Sequence, residues 1–297
     1  MNGQTLTRGQ LWIQGARPRT LPAAIAPVLV GAGAAVGVSS SGPSWWRFLF
    51  ALIVSLALQV GVNYANDYQD GVRGTDTDRV GPMRLVGSGA VPARQVKYAA
   101  FLAFAVAAIA GLVIAATTSW WLIVLGAVCI IAGWGYTGGP SPYGYLGLGE
   151  IFVFIFFGIV ATTGTTYAIV QTVTVESVIA SVAVGSLACA LLVVNNLRDI
   201  PGDSKSGKRT LAVRLGDRTT RGIYVFLIVV AAVAMIVASV QRPFALAGIT
   251  GLIVVIPAIW TIRHGARGRD LIQVLEATGK AQLIASIYLA IGLAIGG

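Results

Sequence analysis

The stretch Val178 to Asp199 reads VIASVAVGSLACALLVVNNLRD. Up to Val194 it carries no charge, and then Asn195, Asn196, Arg198 and Asp199 arrive together at its end. A membrane-spanning helix needs about 20 mostly apolar residues, and polar groups gathered at one end of such a run mark a chemical site at the edge of a membrane. Working outward by the same rule gives nine candidate spans, near 20–38, 46–66, 97–116, 120–137, 147–170, 178–198, 222–240, 243–262 and 281–297. The long apolar stretch 97–137 is divided by Thr117-Thr118-Ser119-Trp120-Trp121, an interfacial turn with an aromatic anchor. The expected fold is all-α: a polytopic membrane protein of about nine transmembrane helices, with no linker that would divide residues 1–297 into more than one domain.

Composition supports this reading. Of 297 residues 56% are hydrophobic and 11% charged, with mean hydropathy +0.80. A soluble domain carries about 25% charged residues, so this chain cannot cover a globule with polar surface. Soluble enzymes, nucleic-acid-binding domains and disordered proteins are excluded. Cys129 and Cys189 lie 60 residues apart in apolar runs and indicate no metal pair or disulfide framework. One histidine, His264, cannot supply bis-imidazole haem ligation. No short apolar stretch with a small-residue cleavage site precedes the first span, so no removed leader is expected.

The net charge of +10 is a topological signal. With nine spans and a cytoplasmic N-terminus, nineteen of the 21 Lys and Arg residues fall on the cytoplasmic side, and only Arg47 and Arg242 fall outside. That asymmetry is the positive-inside rule. It places the protein in the cell membrane with both acidic motifs facing the cytoplasm.

Six of the eleven carboxylates cluster in two places. The first motif, 66–78, contains Asn66, Asp67, Asp70, Arg73, Asp76 and Asp78; the second, 195–209, contains Asn195, Asp199, Asp203, Lys205, Lys208 and Arg209. Asn66 and Asp70 stand at i and i+4, as do Asp199 and Asp203, so each pair shares a helical face if the helix continues that far. Pro201 and Gly202 threaten that continuity in the second motif. Matched acidic clusters repel unless cations neutralise them. Mg²⁺ takes a few carboxylates together with waters and phosphate oxygens. Two such clusters could therefore clamp a diphosphate through Mg²⁺, while Arg73, Lys205, Lys208 or Arg209 hold its outer oxygens.

These residues resemble the UbiA-type intramembrane prenyltransferases, through Asn66-Asp67-x-x-Asp70 and Asn195-x-x-x-Asp199-x-x-x-Asp203. The resemblance covers nearly the whole chain. It implies nine helices around a central cavity and Mg²⁺-assisted ionisation of a polyprenyl diphosphate. Ala16-Arg17-Pro18-Arg19-Thr20-Leu21-Pro22-Ala23, Tyr136-Thr137-Gly138-Gly139-Pro140, Gly147-Leu148-Gly149-Glu150 and Gly207-Lys208-Arg209-Thr210-Leu211 are similar to the branch of that family acting on 1,4-dihydroxy-2-naphthoate in menaquinone biosynthesis. Carried over residue by residue, the resemblance implies metal ligation by Asn66, Asp70, Asp199 and Asp203. Asp67 becomes a supporting or additional ligand, and Arg73 and Lys208 become diphosphate contacts. The implied reaction joins the prenyl carbon to the ring carbon bearing the carboxylate, with loss of CO₂ and diphosphate. Arg17 or Arg19 would hold the aromatic carboxylate, and Tyr136 would line the ring site or contact phosphate. One departure is Gly74, where many members carry a third Asp; the nearest acids here are Asp76 and Asp78. Glu150 reads equally as a helix-start residue or a catalytic acid.

Three other readings compete. A related enzyme could use another acceptor, such as 4-hydroxybenzoate, a haem, a chlorophyllide or a phosphoribose. A CDP-alcohol phosphotransferase needs Ala-Arg where Gly74-Thr75 stand. A cation-coupled transporter needs acids near the membrane midplane, and these lie at span ends.

Overall fold

The computed structural model describes residues 7–39, 42–74 and 83–297. Among them every regular element is helical. A short helix α1 (Arg8–Ala16) leads through a 3₁₀ turn at Pro18–Thr20 into α2 (Pro22–Ala35). Then follow α3 (Trp45–Val72), α4 (Ala93–Thr117), α5 (Trp121–Gly135), α6 (Gly149–Val170), α7 (Val175–Lys205), α8 (Leu211–Gln241), α9 (Pro243–Arg263) and α10 (Asp270–Ile295). Seven of these, α3, α4 and α6 to α10, are long and apolar enough to cross a membrane, while α2 and α5 are shorter apolar helices of 14 and 15 residues. The protein is therefore a multi-pass membrane protein with all nine expected apolar segments in order, seven of them at full spanning length.

Where the boundaries depart most from the hydropathy windows, the helix is longer than its window, while α2 and α5 are shorter than theirs by a few residues. Helix α3 runs past its apolar window to Val72, α7 to Lys205, and α10 begins at Asp270 rather than near 281. Charged residues end an apolar window but not a helix, because side chains beyond the hydrocarbon are solvated while the backbone ladder continues. The consequence matters for the site: both acidic motifs ride on helical extensions. Pro201 lies inside α7 without ending it. The 4-residue spacing of Asp199 and Asp203 is therefore helical. The break at Thr117–Trp121 forms as expected, with Trp120 and Trp121 exposed. Asp76 and Asp78 lie outside the described residues.

Two packed halves flank the interior. In one, α2 and α7 to α10 share a core that includes Val30, Val184, Leu187, Tyr224, Met235 and Leu289. In the other, Tyr64, Leu85, Val96 and Phe104 tie α3 and α4 to the segment after residue 83. Lipid tails are as apolar as Leu, so close backbone approach and interhelical hydrogen bonds drive this packing. At the crossing of α6 with α7, a Cβ on Gly158 would stand 2.6 Å from Gly185 Cα, and one on Gly185 would meet the Phe154 ring at 3.0 Å. Gly158 lies in the π-helical segment Phe154–Val160. His264 is an exposed surface residue stacked on Trp260, with ring centroids 4.0 Å apart. Cys129 and Cys189 are free thiols.

Candidate active site

Helices α3 and α7 carry their motifs into a polar chamber of about 380 Å³. Its walls include Asn66 and Asp70 from α3, and Asn195, Asp199, Asp203 and Lys205 from α7. Lys208 and Tyr145 complete it from the connecting segments. Beside it lies a larger cavity of about 900 Å³, walled by apolar side chains of α2 to α7 such as Val54, Ile114, Leu125, Phe156 and Leu191. Arg17, Asn66, Arg84, Tyr136, Asn195 and Arg198 line both spaces and form the neck between them.

Each carboxylate is already engaged. Lys208 Nζ stands 3.0 Å from Asp70 Oδ1, and the Tyr145 hydroxyl donates to the same oxygen at 2.5 Å. The Lys208 ammonium also lies 4.7 Å from the Tyr145 ring centroid. On α7, Arg198 makes a two-pronged contact with Asp199: Nε to Oδ1 at 2.7 Å and Nη2 to Oδ2 at 2.9 Å. Arg198 Nη2 also donates to Asn195 Oδ1 at 2.7 Å. Arg198 is buried and Asp199 nearly so, with side chains 3% and 10% exposed. Asn66 Oδ1 accepts from the Thr137 hydroxyl at 2.8 Å.

Three residues nominated by the sequence take other places. Asp67 is buried, and its two oxygens accept the backbone N–H groups of Leu85 and Val86 at 3.0 and 2.9 Å. It anchors the segment beyond residue 83. Arg73 does not line the chamber; its guanidinium donates to the carbonyls of Thr137 and Gly139 and lies over the Tyr145 ring. Arg209 is exposed and lines neither space, and its backbone N–H donates to Tyr145 O. Arg73 and Arg209 thus brace the turn that carries Tyr145 rather than face the chamber.

The aromatic-site candidates divide similarly. Arg17 ends α1 as a left-handed C-cap, φ 54° and ψ 69°, its backbone N–H donating to Gln14 O, and Pro18 after it bars the right-handed helix from continuing. Its side chain reaches the neck. Arg19 lines the larger cavity and pairs with Glu276 at 3.1 Å, half exposed. Tyr136 stands at the neck in an edge-to-face contact with Tyr143, centroids 5.5 Å apart. Glu150 opens α6 and accepts from Asn196 Nδ2 at 2.9 Å, so it braces the second motif.

Tyr145 and Arg84 carry no sequence signal for this site, and Arg198 carries none for its pairing with Asp199. Arg198 stands inside the polar end of the second motif, but the sequence assigns it no role there beyond topology. Tyr145 follows the Gly139-Pro140 turn, and only the folded 3₁₀ segment Tyr143–Leu146 brings it to Asp70.

The donor chemistry of the chamber fits Mg²⁺. Asn66, Asp70, Asp199 and Asp203 offer oxygen only, as a hard cation requires. Among the described residues no group of three or more His, Cys, Asp or Glu side chains converges as a cage. Two half-sites on facing helices suit an ion that completes its shell with phosphate oxygens and water.

Helices enclosing an apolar cavity, capped by a chamber lined with two Asp-rich motifs, define an intramembrane prenyltransferase. The chain belongs to the UbiA prenyltransferase family, whose pattern matches residues 24–275. It is 50% identical over 285 residues to 1,4-dihydroxy-2-naphthoate octaprenyltransferase of Mycobacterium tuberculosis, covering 96% of this chain and 97% of that one. It is 33% identical over 310 residues to the enzyme of the same name from Escherichia coli, covering 99% and 98%. In fold it resembles a UbiA homologue from Archaeoglobus fulgidus bound to GPP and Mg²⁺, with TM-score 0.66 at 15% identity over 96% of this chain and 98% of that one. An apo UbiA homologue from Aeropyrum pernix gives TM-score 0.66 at 13% identity over 98% and 99%.

Proposed function

We propose that this protein transfers a polyprenyl group from polyprenyl diphosphate to 1,4-dihydroxy-2-naphthoate, giving demethylmenaquinol, the reduced form of demethylmenaquinone. The observation that carries the reading is the joining of the two-motif chamber to a large apolar cavity through one neck. A diphosphate and its prenyl tail need that pairing of environments. The acceptor is assigned by full-length similarity to enzymes named for it.

In this reading Asn66, Asp70, Asp199 and Asp203 hold Mg²⁺, and Lys208 and Lys205 take the outer diphosphate oxygens. Bound Mg²⁺ neutralises charge developing on the departing diphosphate. Lys208 and Tyr145 exchange their bonds to Asp70 for bonds to phosphate oxygens. The apolar walls exclude water, so the allylic cation survives until the ring attacks it. Arg17 at the neck holds the acceptor carboxylate and Tyr136 borders the ring. The new C–C bond forms at the carboxylated ring carbon, the allylic C–O bond breaks to release diphosphate, and the carboxylate leaves as CO₂. Asp67, Arg73 and Glu150 position the surrounding segments. The chamber faces the cytoplasm, in keeping with the nineteen Lys and Arg residues assigned to that side.

The test uses membranes containing the protein, polyprenyl diphosphate, Mg²⁺ and carboxyl-labelled 1,4-dihydroxy-2-naphthoate. Equal release of labelled CO₂ and prenylated product, stopped by EDTA and restored by Mg²⁺, is the expected result. Turnover with 4-hydroxybenzoate and none with the naphthoate would move the protein to another branch of the family.

A further inference from the structure

On α3, Gln59, Asn63, Asn66 and Asp70 follow one another at intervals of four, three and four residues, which places them on one stripe of the helix. The last two belong to the diphosphate chamber. The first two face the larger cavity, are 7% and 3% exposed, and have no role in the reading above. Together with Thr20 they build a polar cradle in a wall that is mostly apolar. Asn63 Nδ2 donates to Ala16 O at 2.9 Å and to Thr20 Oγ1 at 3.0 Å. Gln59 Nε2 donates to Thr20 Oγ1 at 3.0 Å and to Asn63 Oδ1 at 3.3 Å. The Thr20 hydroxyl donates in turn to Arg17 O at 2.9 Å, which fills its one donor and two acceptor positions.

Everything in this network closes on Arg17. The carbonyl before it is held by Asn63, its own carbonyl by Thr20, and its Nη2 donates to Asn63 O at 3.3 Å. Arg17 and Gln171 are the described non-glycine residues with positive φ. A side chain with a Cβ enters that region at a cost, and surrounding structure must hold it there. Such strain, over-determined by buried hydrogen bonds at a cavity neck, directs a side chain where an ordinary helix end would not.

We propose that Gln59, Asn63 and Thr20 are positioning residues that aim Arg17 at the acceptor, and so set the preference for an aromatic ring bearing a carboxylate. The proposal rests on the reading that Arg17 holds that carboxylate. Because cradle and metal motif share one stripe of α3, the acceptor site is kept in fixed register with the diphosphate site.

Three readouts test it in membranes: KM for 1,4-dihydroxy-2-naphthoate, KM for polyprenyl diphosphate, and competitive inhibition by 1,4-dihydroxynaphthalene, which lacks the carboxylate. Thr20→Val and Asn63→Leu should each raise the acceptor KM about tenfold, the scale of one charge-assisted hydrogen bond. The diphosphate KM and the affinity for 1,4-dihydroxynaphthalene should stay within about twofold, less than one lost hydrogen bond would cost. Thr20→Ser keeps the hydroxyl and should return the acceptor KM toward wild type. Parallel shifts in all three readouts would mean a merely structural role and overturn the proposal. Arg17→Gln separates the layers. If it raises the acceptor KM while the cradle variants do not, the cradle fails alone. If Arg17→Gln is silent, the carboxylate reading fails and takes the cradle with it.

Discussion

Lys208 Nζ and Asp70 Oδ1 meet at 3.0 Å across 138 residues of chain, joining the second acidic motif to the first. The pair does two jobs. It neutralises a carboxylate at the end of α3, and it holds a cation where phosphate oxygens would arrive. Lys208→Gln keeps much of the side chain's length and removes its charge. It should raise the KM for polyprenyl diphosphate by about tenfold or more, in line with a lost charge-assisted contact, and leave the acceptor KM nearly unchanged. Steady-state kinetics with each substrate varied in turn measures this.

Asp70→Asn and Asp199→Asn should each abolish turnover, but they should differ in stability. Both carboxylates are largely enclosed, with Asp70 7% and Asp199 10% exposed, but Asp70 meets an ammonium on a flexible stem that can turn to the chamber, whereas Asp199 is held two-pronged by the fixed fork of a guanidinium whose side chain is 3% exposed. Removing one partner of a buried pair costs about 3–5 kcal/mol. Thermal unfolding in detergent should therefore show a clear fall for Asp199→Asn and a smaller one for Asp70→Asn.

Asp67→Ala should weaken the protein through the chain after residue 83 rather than through the metal. The buried N–H of Leu85 and the part-buried N–H of Val86 lose their acceptor, at about 1–3 kcal/mol for a buried group left unsatisfied and less where water can reach. Limited proteolysis should cut faster between residues 83 and 92. The Mg²⁺ concentration giving half-maximal rate in the surviving protein should stay put, and a large rise would return Asp67 to the metal.

Gly158→Leu should disable the enzyme from a distance. Its side chain must enter space occupied by Gly185 on α7, and overpacking of this kind costs about 1–3 kcal/mol or more. The displaced helix carries Asn195, Asp199 and Asp203. Activity should fall more than the amount of membrane-inserted protein, measured on the same preparation.

Much of this architecture is legible in the chain itself. Among the described residues the apolar windows mark seven helices of spanning length and two shorter apolar ones, and Asn66, Asp70, Asn195, Asp199 and Asp203 all line the polar chamber. What hydropathy misses is helix beyond the hydrocarbon: Asp270, Glu276 and Lys280 lower the average over the first turns of α10 without breaking its ladder. Choosing among cations is harder still. Arg73, Lys208 and Arg209 look equivalent in sequence, yet the carbonyls of Thr137 and Gly139 capture Arg73, and Arg209 turns outward. Those partners come from the α5–α6 connection, so no local pattern could assign them. The role of Arg198 is ambiguous for the opposite reason: beside a membrane, an arginine at a helix end has an ordinary topological explanation.

The short helix α5 has a further consequence. With 15 residues it rises about 22 Å, against a hydrocarbon core of about 30 Å. One face, with Ile123, Val124, Val128 and Ile131, is exposed, while Leu122, Leu125 and Cys129 line the large cavity. A short wall is matched by thinning of the lipid beside it or by flanking side chains reaching to the interface, at a fraction of a kcal/mol for each ångström of mismatch. The membrane thus becomes a mechanical parameter of the enzyme: its turnover should respond to the acyl-chain length of the surrounding lipid, even when both substrates are held constant.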